Sequence, residues 1–300
     1  MIASASRADT PRFVHRFGLR ALAVTLASDT PDLHAALAHI VNRADERLEP
    51  SQAVEFRVGQ QHDGQLTLAE DEGEPRPMRD INAVLVSIHR RLSVFLFGTL
   101  RTLTALHSGA VTIDGRLVLL TGDRGAGKTT LLLKLAMGGA EFHCDEHVMA
   151  SADGRVHTLP RRLHVKPGTL ECLPAIAAAC RAHPLLRLDG GVAFYPLDPT
   201  DIGLNWRSAD APLAAIVHLT PAFGWPVSLE PIPRIDMVKR LFVQASGDNM
   251  DFGRQAADIC GIVRGVPTFA LRVGNLDETA DVVTTLVRGV PAAPERAFST

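Results

Sequence analysis

The sequence predicts an α/β protein with a smaller α+β unit in front of it, on three observations. Short apolar strands and amphipathic helices alternate through the last two thirds of the chain. A strand, a glycine-rich turn and a helix follow one another directly at residues 117–137. The first hundred residues instead group a strand, a helix, a hairpin and one long helix. The 300 residues, 46% hydrophobic, suffice for one sizeable core or two modest ones. The boundary is placed near Ala105, giving units 1–105 and 106–290 and a tail, 291–300, expected to be disordered.

Residues 21–27 are a short apolar run of strand character. Thr30 is placed as an N-cap before Pro31, whose fixed φ suits a first helical position, and the pattern carries an amphipathic helix over 32–42. Alternating stretches at 53–58 and 65–69 predict a hairpin around 60–64, followed by a polar loop at 70–77. From Ile81 to about Ala105, Val84, Leu85, Ile88, Leu92, Phe95, Leu96, Leu100 and Leu103 recur at helical spacing and predict one long core-facing helix. His89, Arg90 and Arg91 interrupt it well before the roughly 20 apolar residues of a bilayer span. Residues 110–113 and 117–121 flank Asp114-Gly115, a pair suited to a two-residue hairpin turn. Further strands are expected at 214–219 and 269–273, and helices at 235–244 and 277–287.

Composition removes several function classes. A formal charge of -2, from 31 basic and 33 acidic side chains, argues against nucleic acid and anionic membrane surfaces as partners. The four cysteines, Cys144, Cys172, Cys180 and Cys260, form no C-x-x-C pair and read as reduced, buried thiols. Residues 1–13 lack the apolar run of a secretory signal, so a cytoplasmic location is expected.

The chemistry concentrates in the phosphate-binding loop Gly122, Asp123, Arg124, Gly125, Ala126, Gly127, Lys128, Thr129 and Thr130, whose first eight residues fit G-x-x-x-x-G-K-[ST] between a strand and a helical run from Thr130. In such a loop, glycines let backbone N–H groups turn inward and the helix N-terminus adds partial positive charge. The lysine reaches the outer phosphates of a nucleoside triphosphate, and the hydroxyl ligates Mg²⁺. ATP with Mg²⁺ is the expected ligand pair. Gly138-Gly139 should end the helix. The next strand, 140–144, would bring Asp145 and Glu146 to the edge that carries the loop if it ran parallel to 117–121. Carboxylates there can hold Mg²⁺ or take the proton of an attacking hydroxyl. His143 and His147 bracket the pair without the H-E-x-x-H spacing of a zinc protease and are assigned to packing or supporting contacts.

Together these residues resemble the C-terminal catalytic domain of HPr kinase/phosphorylase, and more closely its bacterial relatives often encoded with peptide-tailoring enzymes. The likeness spans about residues 106–287. It is clearest from Leu106-His107-Ser108-Gly109 through the glycine-rich loop to Cys144-Asp145-Glu146-His147. The resemblance implies a mixed sheet carrying the loop, related to phosphoenolpyruvate carboxykinase. It makes Asp145 the general base, sets Glu146 to assist Mg²⁺ where the family usually has a second Asp, and puts His107 in the site lining. The glycine-rich signature with its Glu-Ile-Arg-Gly core has no counterpart here, so HPr is not the expected substrate. Arg161, Arg162 and Lys166 stand in that region as candidate contacts to acceptor or phosphate, although Arg-Arg pairs are usually solvated. Arg234 is a further candidate clamp.

The expected activity is transfer of the γ-phosphoryl of ATP to a hydroxyl, with a serine of a peptide or protein as acceptor and the N-terminal unit recruiting it. A nucleotide sensor without transfer and a small-molecule kinase are the alternatives. The oligomeric state stays open.

Overall fold

The structure, a computed structural model, describes residues 13–19, 22–43, 51–99, 103–159, 161–188, 190–246 and 251–290. The N-terminal thirteen-residue stretch read for a signal (apart from Phe13), Leu100, Pro160 and the tail 291–300 lie outside them.

The first sheet has five strands in the order β1 (Phe13–Leu19), β2 (Leu22–Ser28), β3 (Gln52–Gln60), β4 (Leu66–Glu70) and β5 (Arg76–Met78). Only β2 and β3 pair in parallel, and helix α1 (Pro31–Leu37) lies in the connection between them. Thr30 caps α1, its hydroxyl accepting from Leu33 N–H at 3.3 Å, and Pro31 stands in the first turn. The helix stops at Leu37 and continues only as a short 3-10 turn, Ala38–Ile40, instead of running to residue 42. β1 was not expected, because His15 and Arg16 break its apolar pattern. The segment read as a loop at 70–77 contains the start of β5, a three-residue edge strand whose proline fits an edge.

Helix α2 (Ile81–Thr99) packs Val84, Leu85, Ile88, Leu92 and Leu96 into the core at helical spacing. It ends before the predicted limit, for Ala105 belongs to strand β6 (Thr104–His107). The core it helps to form also takes Met149, Leu159, Leu186 and Phe194 from later in the chain, so one apolar body crosses the position where the sequence pattern changes.

The chain then forms β7 (Gly109–Ile113), β8 (Arg116–Gly122), α3 (Lys128–Met137), β9 (Glu141–Cys144), β10 (His147–Ala150), β11 (Arg155–Thr158) and β12 (Leu163–Val165). After these come α4 (Pro167–Cys172), α5 (Ala177–Arg181), β13 (Leu186–Arg187), β14 (Ala193–Leu197), β15 (Asp210–Pro212), β16 (Ala215–Pro221) and β17 (Ser228–Pro231). The last elements are α6 (Arg234–Gln244), β18 (Ala245–Ser246), α7 (Phe252–Val263), β19 (Thr268–Val273) and α8 (Leu276–Gly289). β7 and β8 form a hairpin on Asp114 and Gly115, both with positive φ (47° and 75°), as a primed two-residue turn requires.

The central sheet is mixed, in the order β17-β19-β16-β8-β7-β9. Strands β8, β16 and β19 are mutually parallel. β9 runs in the same direction as β8, but β7 lies between them, antiparallel to both. Alternation along β8 sends Val118 and Leu120 to the core under α3 and α8, and Leu117 and Leu119 to the core under α6 and α7. A second sheet, β15-β11-β10-β6-β18, shares the latter core, and a small sheet, β12-β14-β13, lies between the first sheet and α4. The result is a mixed α/β molecule. Of the cysteines, Cys144 and Cys180 are buried as expected, whereas Cys172 on α4 and Cys260 on α7 are exposed.

Candidate functional site

The turn from β8 to α3 is made by glycines in conformations open chiefly to glycine. Gly127, at φ 90°, immediately precedes Lys128, which starts α3. Lys128 is buried, and its ammonium spans the turn, donating to Gly122 O at 2.6 Å and to Asp123 O at 3.2 Å. Burial pushes its pKa down to about 8 against the attraction of Asp145 and Asp123. Asp123, Arg124 and Gly125 are exposed, while Ala126 is buried beneath the turn. Asp123 accepts from Gln244 Nε2 at 3.1 Å, which ties the turn to the C-terminal end of α6, and Thr130 meets the Thr169 hydroxyl of α4 at 3.1 Å.

Asp145 follows β9 at the same sheet edge. A β-bulge leads into it: Ala110 pairs with Cys144 but Val111 with Phe142, leaving His143 as the extra residue. His143 meets Thr112 Oγ1 at 2.8 Å and Arg207 O at 3.0 Å, and its own carbonyl accepts from Trp206 Nε1 at 3.1 Å. Close approach underneath depends on Gly109, where a Cβ would stand 2.3 Å from Leu132 Cδ1 and 2.9 Å from Cys144 O. The re-aimed Asp145 is 5% exposed and accepts from the Thr129 hydroxyl at 3.2 Å. Burial raises its pKa, outweighing the neighbouring Arg161 and the hydrogen bonds from Thr129 and the backbone of His164. A carboxylate raised in this way is a stronger base than one in water.

Of the two candidate contacts, Arg161 is half-buried and Arg162 buried, and they face different surroundings. Arg161 pairs with Glu146, donates to Ser93 Oγ of α2 at 3.1 Å, and lies near Asp145. Burial lowers its pKa to about 10, and the attraction of Asp145 acts in the opposite sense. Arg162 points elsewhere. It donates to Val41 O at 2.6 Å, Pro196 O at 3.0 Å and Ala38 O at 3.3 Å, and lies 3.4 Å from the fully buried Asp198. With its donors committed to protein partners, it joins the segment that follows α1 to β14 and does not enter the site.

Glu146 Oε2 also lies 3.3 Å from His164 Nδ1, and His164 Nε2 lies 2.5 Å from His89 Nε2 of α2. Burial drives both histidines well below their ordinary pKa, so both are neutral. If His164 donates from Nδ1 to the carboxylate, its Nε2 accepts the proton of His89. Sequence reading places neither His89, Ser93 nor His164 here, because nothing local links residues 89 and 93 to 146.

His107 stands directly opposite His147 across β6 and β10. Its pKa is pushed down to about 4, first by burial and then by the cations Lys128, Arg124, Arg161 and Lys166. The structure therefore gathers His107, Lys128, Arg161 and the exposed Lys166 around one edge. It does not bring Arg234 there. Gln244, at the other end of α6, touches the turn, and ten residues of helix place Arg234 about 15 Å away. Arg240, farther along α6, is among the cations that lower His218 of β16 to about 4, burial being the larger cause.

Thr129 and Asp145 offer two oxygen donors 3.2 Å apart, a set that suits a hard cation such as Mg²⁺. Glu146 is held by Arg161 and His164, which leaves Asp145 as the carboxylate in contact with Thr129. Among the described residues no helix is long and apolar enough to cross a membrane. No family model matches the chain, and no curated protein matches it. Among solved structures, the Hpr(Ser) kinase/phosphatase from Coxiella burnetii is 17% identical, covering 61% of this chain and 93% of its own, at a TM-score of 0.31. At that score the likeness carries no argument about fold or function.

Proposed function

We propose that the protein is a phosphotransferase that moves the γ-phosphoryl group of ATP to a hydroxyl, with a serine of a peptide or protein as acceptor. The observation that carries this reading is the Thr129–Asp145 contact, which sets a buried, basic carboxylate beside a glycine-rich strand-to-helix turn. In this reading the backbone N–H groups of residues 122–127 cradle the phosphates, and Lys128 and Arg124 neutralise them. Asp145 accepts the acceptor's proton as the acceptor oxygen bonds to the γ-phosphorus and the bond to the β–γ bridging oxygen breaks, with ADP as the leaving group. Arg161 holds charge near the transferred group while Glu146 and Ser93 fix its position, and His107 stays neutral among the cations. In this reading Thr129 would hold Mg²⁺, which when bound draws charge from the phosphate oxygens, and Asp145 is kept for the proton.

The same contact favours a second reading, in which Asp145 serves the metal and not the proton. Single-turnover transfer at saturating Mg-ATP, set beside equilibrium nucleotide binding, separates the two in Asp145→Asn. A base predicts a rate loss of roughly 10²- to 10⁴-fold with ATP affinity kept. A metal ligand predicts joint loss of rate and Mg-ATP affinity, partly restored by added Mg²⁺. Equal rates in the two proteins would remove Asp145 from the chemistry. Absence of transfer from the wild type to any serine-bearing acceptor would leave a nucleotide sensor.

A further inference from the structure

Along one edge of the central sheet stand, in order, Asp145 after β9, the glycine-rich turn after β8, and a turn at residues 222–227 that crosses the end of β19 on its way from β16 to β17. The last of these is firmly held. Ala222 N–H donates to Val273 O at 3.0 Å, and Trp225 N–H donates to Ala222 O at 3.0 Å. Gly274 lies so close that a Cβ there would stand 2.4 Å from Trp225 O. Yet this anchored turn displays Phe223 and Trp225, each 68% exposed, between the exposed Pro221 and Pro226. Large aromatic rings held out on a fixed backbone leave unused the burial that usually justifies them.

Direction along the edge supplies the occupant, and this step rests on the function proposed above. Asp145, Arg161 and Glu146 stand on the β9 side of the turn, so the outer phosphate of a bound nucleotide points that way. The rest of the nucleotide is then directed across β16 toward β19. Two strand spacings, about 10 Å, separate the ends of β8 and β19, a span for ribose and base to bridge. We propose that Phe223 and Trp225 are a stacking platform for the nucleobase of the bound nucleoside triphosphate. Every base offers a π face, so the platform adds affinity without choosing among bases.

The sequence contains two tryptophans, and Trp206 is buried, so Trp225 is the exposed reporter. Binding of Mg-ATP and of Mg-tripolyphosphate is measured by calorimetry and tryptophan fluorescence on the full chain and on Phe223→Ala/Trp225→Ala. The expected result is a loss of roughly ten- to a hundredfold in ATP affinity, with tripolyphosphate unchanged. ATP but not tripolyphosphate should quench Trp225 in the wild type. Equal ATP affinity in the two proteins would overturn the platform while leaving the phosphate site intact. Unchanged ATP affinity with transfer lost to a peptide acceptor would overturn it in favour of an acceptor surface. If neither ligand binds the wild type, the nucleotide reading itself fails and the platform with it.

Discussion

The glycine-rich turn and the charged cluster beside it lie at one end of the molecule and are built in opposite ways. The turn is contiguous, is built from main-chain groups and one buried lysine, and leaves Asp123, Arg124 and Gly125 in solvent. The cluster draws Ser93 and His89 from α2, Asp145 and Glu146 from the end of β9, and Arg161 and His164 from around β12, and encloses its charges. The difference teaches that a short motif can fix where phosphate would bind, while the charges that would act on it are assembled from distant parts of the chain.

The comparison is broken most sharply at Lys128. If the turn's role is charge neutralisation, Lys128→Ala should lower transfer by roughly 10³-fold or more, measured at single turnover, with little change in melting temperature. Wild-type turnover in this variant would end the assignment. At Arg161 the ordering reverses, because removing one partner of a partly buried pair leaves Glu146 without its cation. Arg161→Met should cost about 1.5–3 kcal/mol of stability in denaturant unfolding, as well as activity. A loss below about 1 kcal/mol would mean the cluster is solvated in solution. Gly109→Ala tests the packing that both regions share. Its Cβ has no room beside Leu132, Cys144 and Asp145, and overpacking of this kind costs about 1–3 kcal/mol.

The mildest test is pH. His107 and His147, at about 4 and about 3, and His89 and His164, well below their ordinary value, stay neutral in the folded protein while their unfolded counterparts protonate below about 6.5. The unfolded state thus binds more protons, and stability should fall as pH drops from about 6.5 toward 4, by up to tenfold in the folding constant per pH unit per histidine. Asp145, whose pKa burial raises, acts with the opposite sign just above the ordinary carboxylate range. Titrating stability for wild type and His89→Phe should show the slope of the variant shallower by one proton; equal slopes would place His89 in water.

What the sequence discloses follows the same division. Strand β8, the turn and α3 are readable because their residues are consecutive and each constrains the next. The hairpin at Asp114-Gly115 and the cap at Thr30 are readable for the same reason. β1 is hidden by His15 and Arg16, and β5 by its three-residue length. The fates of Arg161 and Arg162 depend on Ser93, Ala38 and Val41, more than sixty residues away, so their pairing has no local sign. The insertion of β7 between β8 and β9 is likewise a matter of pairing, which apolar pattern alone does not assign.

The core shared by the first sheet and the later strands bears on how the molecule comes apart. Met149 and Leu159 lie between the acidic pair and Arg161 in sequence, and the Phe194 ring lies tilted against His164, yet all three pack into the core beneath the N-terminal sheet. Opening that sheet to solvent therefore uncovers the apolar support of the cluster, and neither half can separate with its surface covered. Backbone amides in α2 and in β10 would then exchange with solvent through one cooperative opening, not two. The N-terminal sheet and α2 are, on these terms, part of the site's foundation.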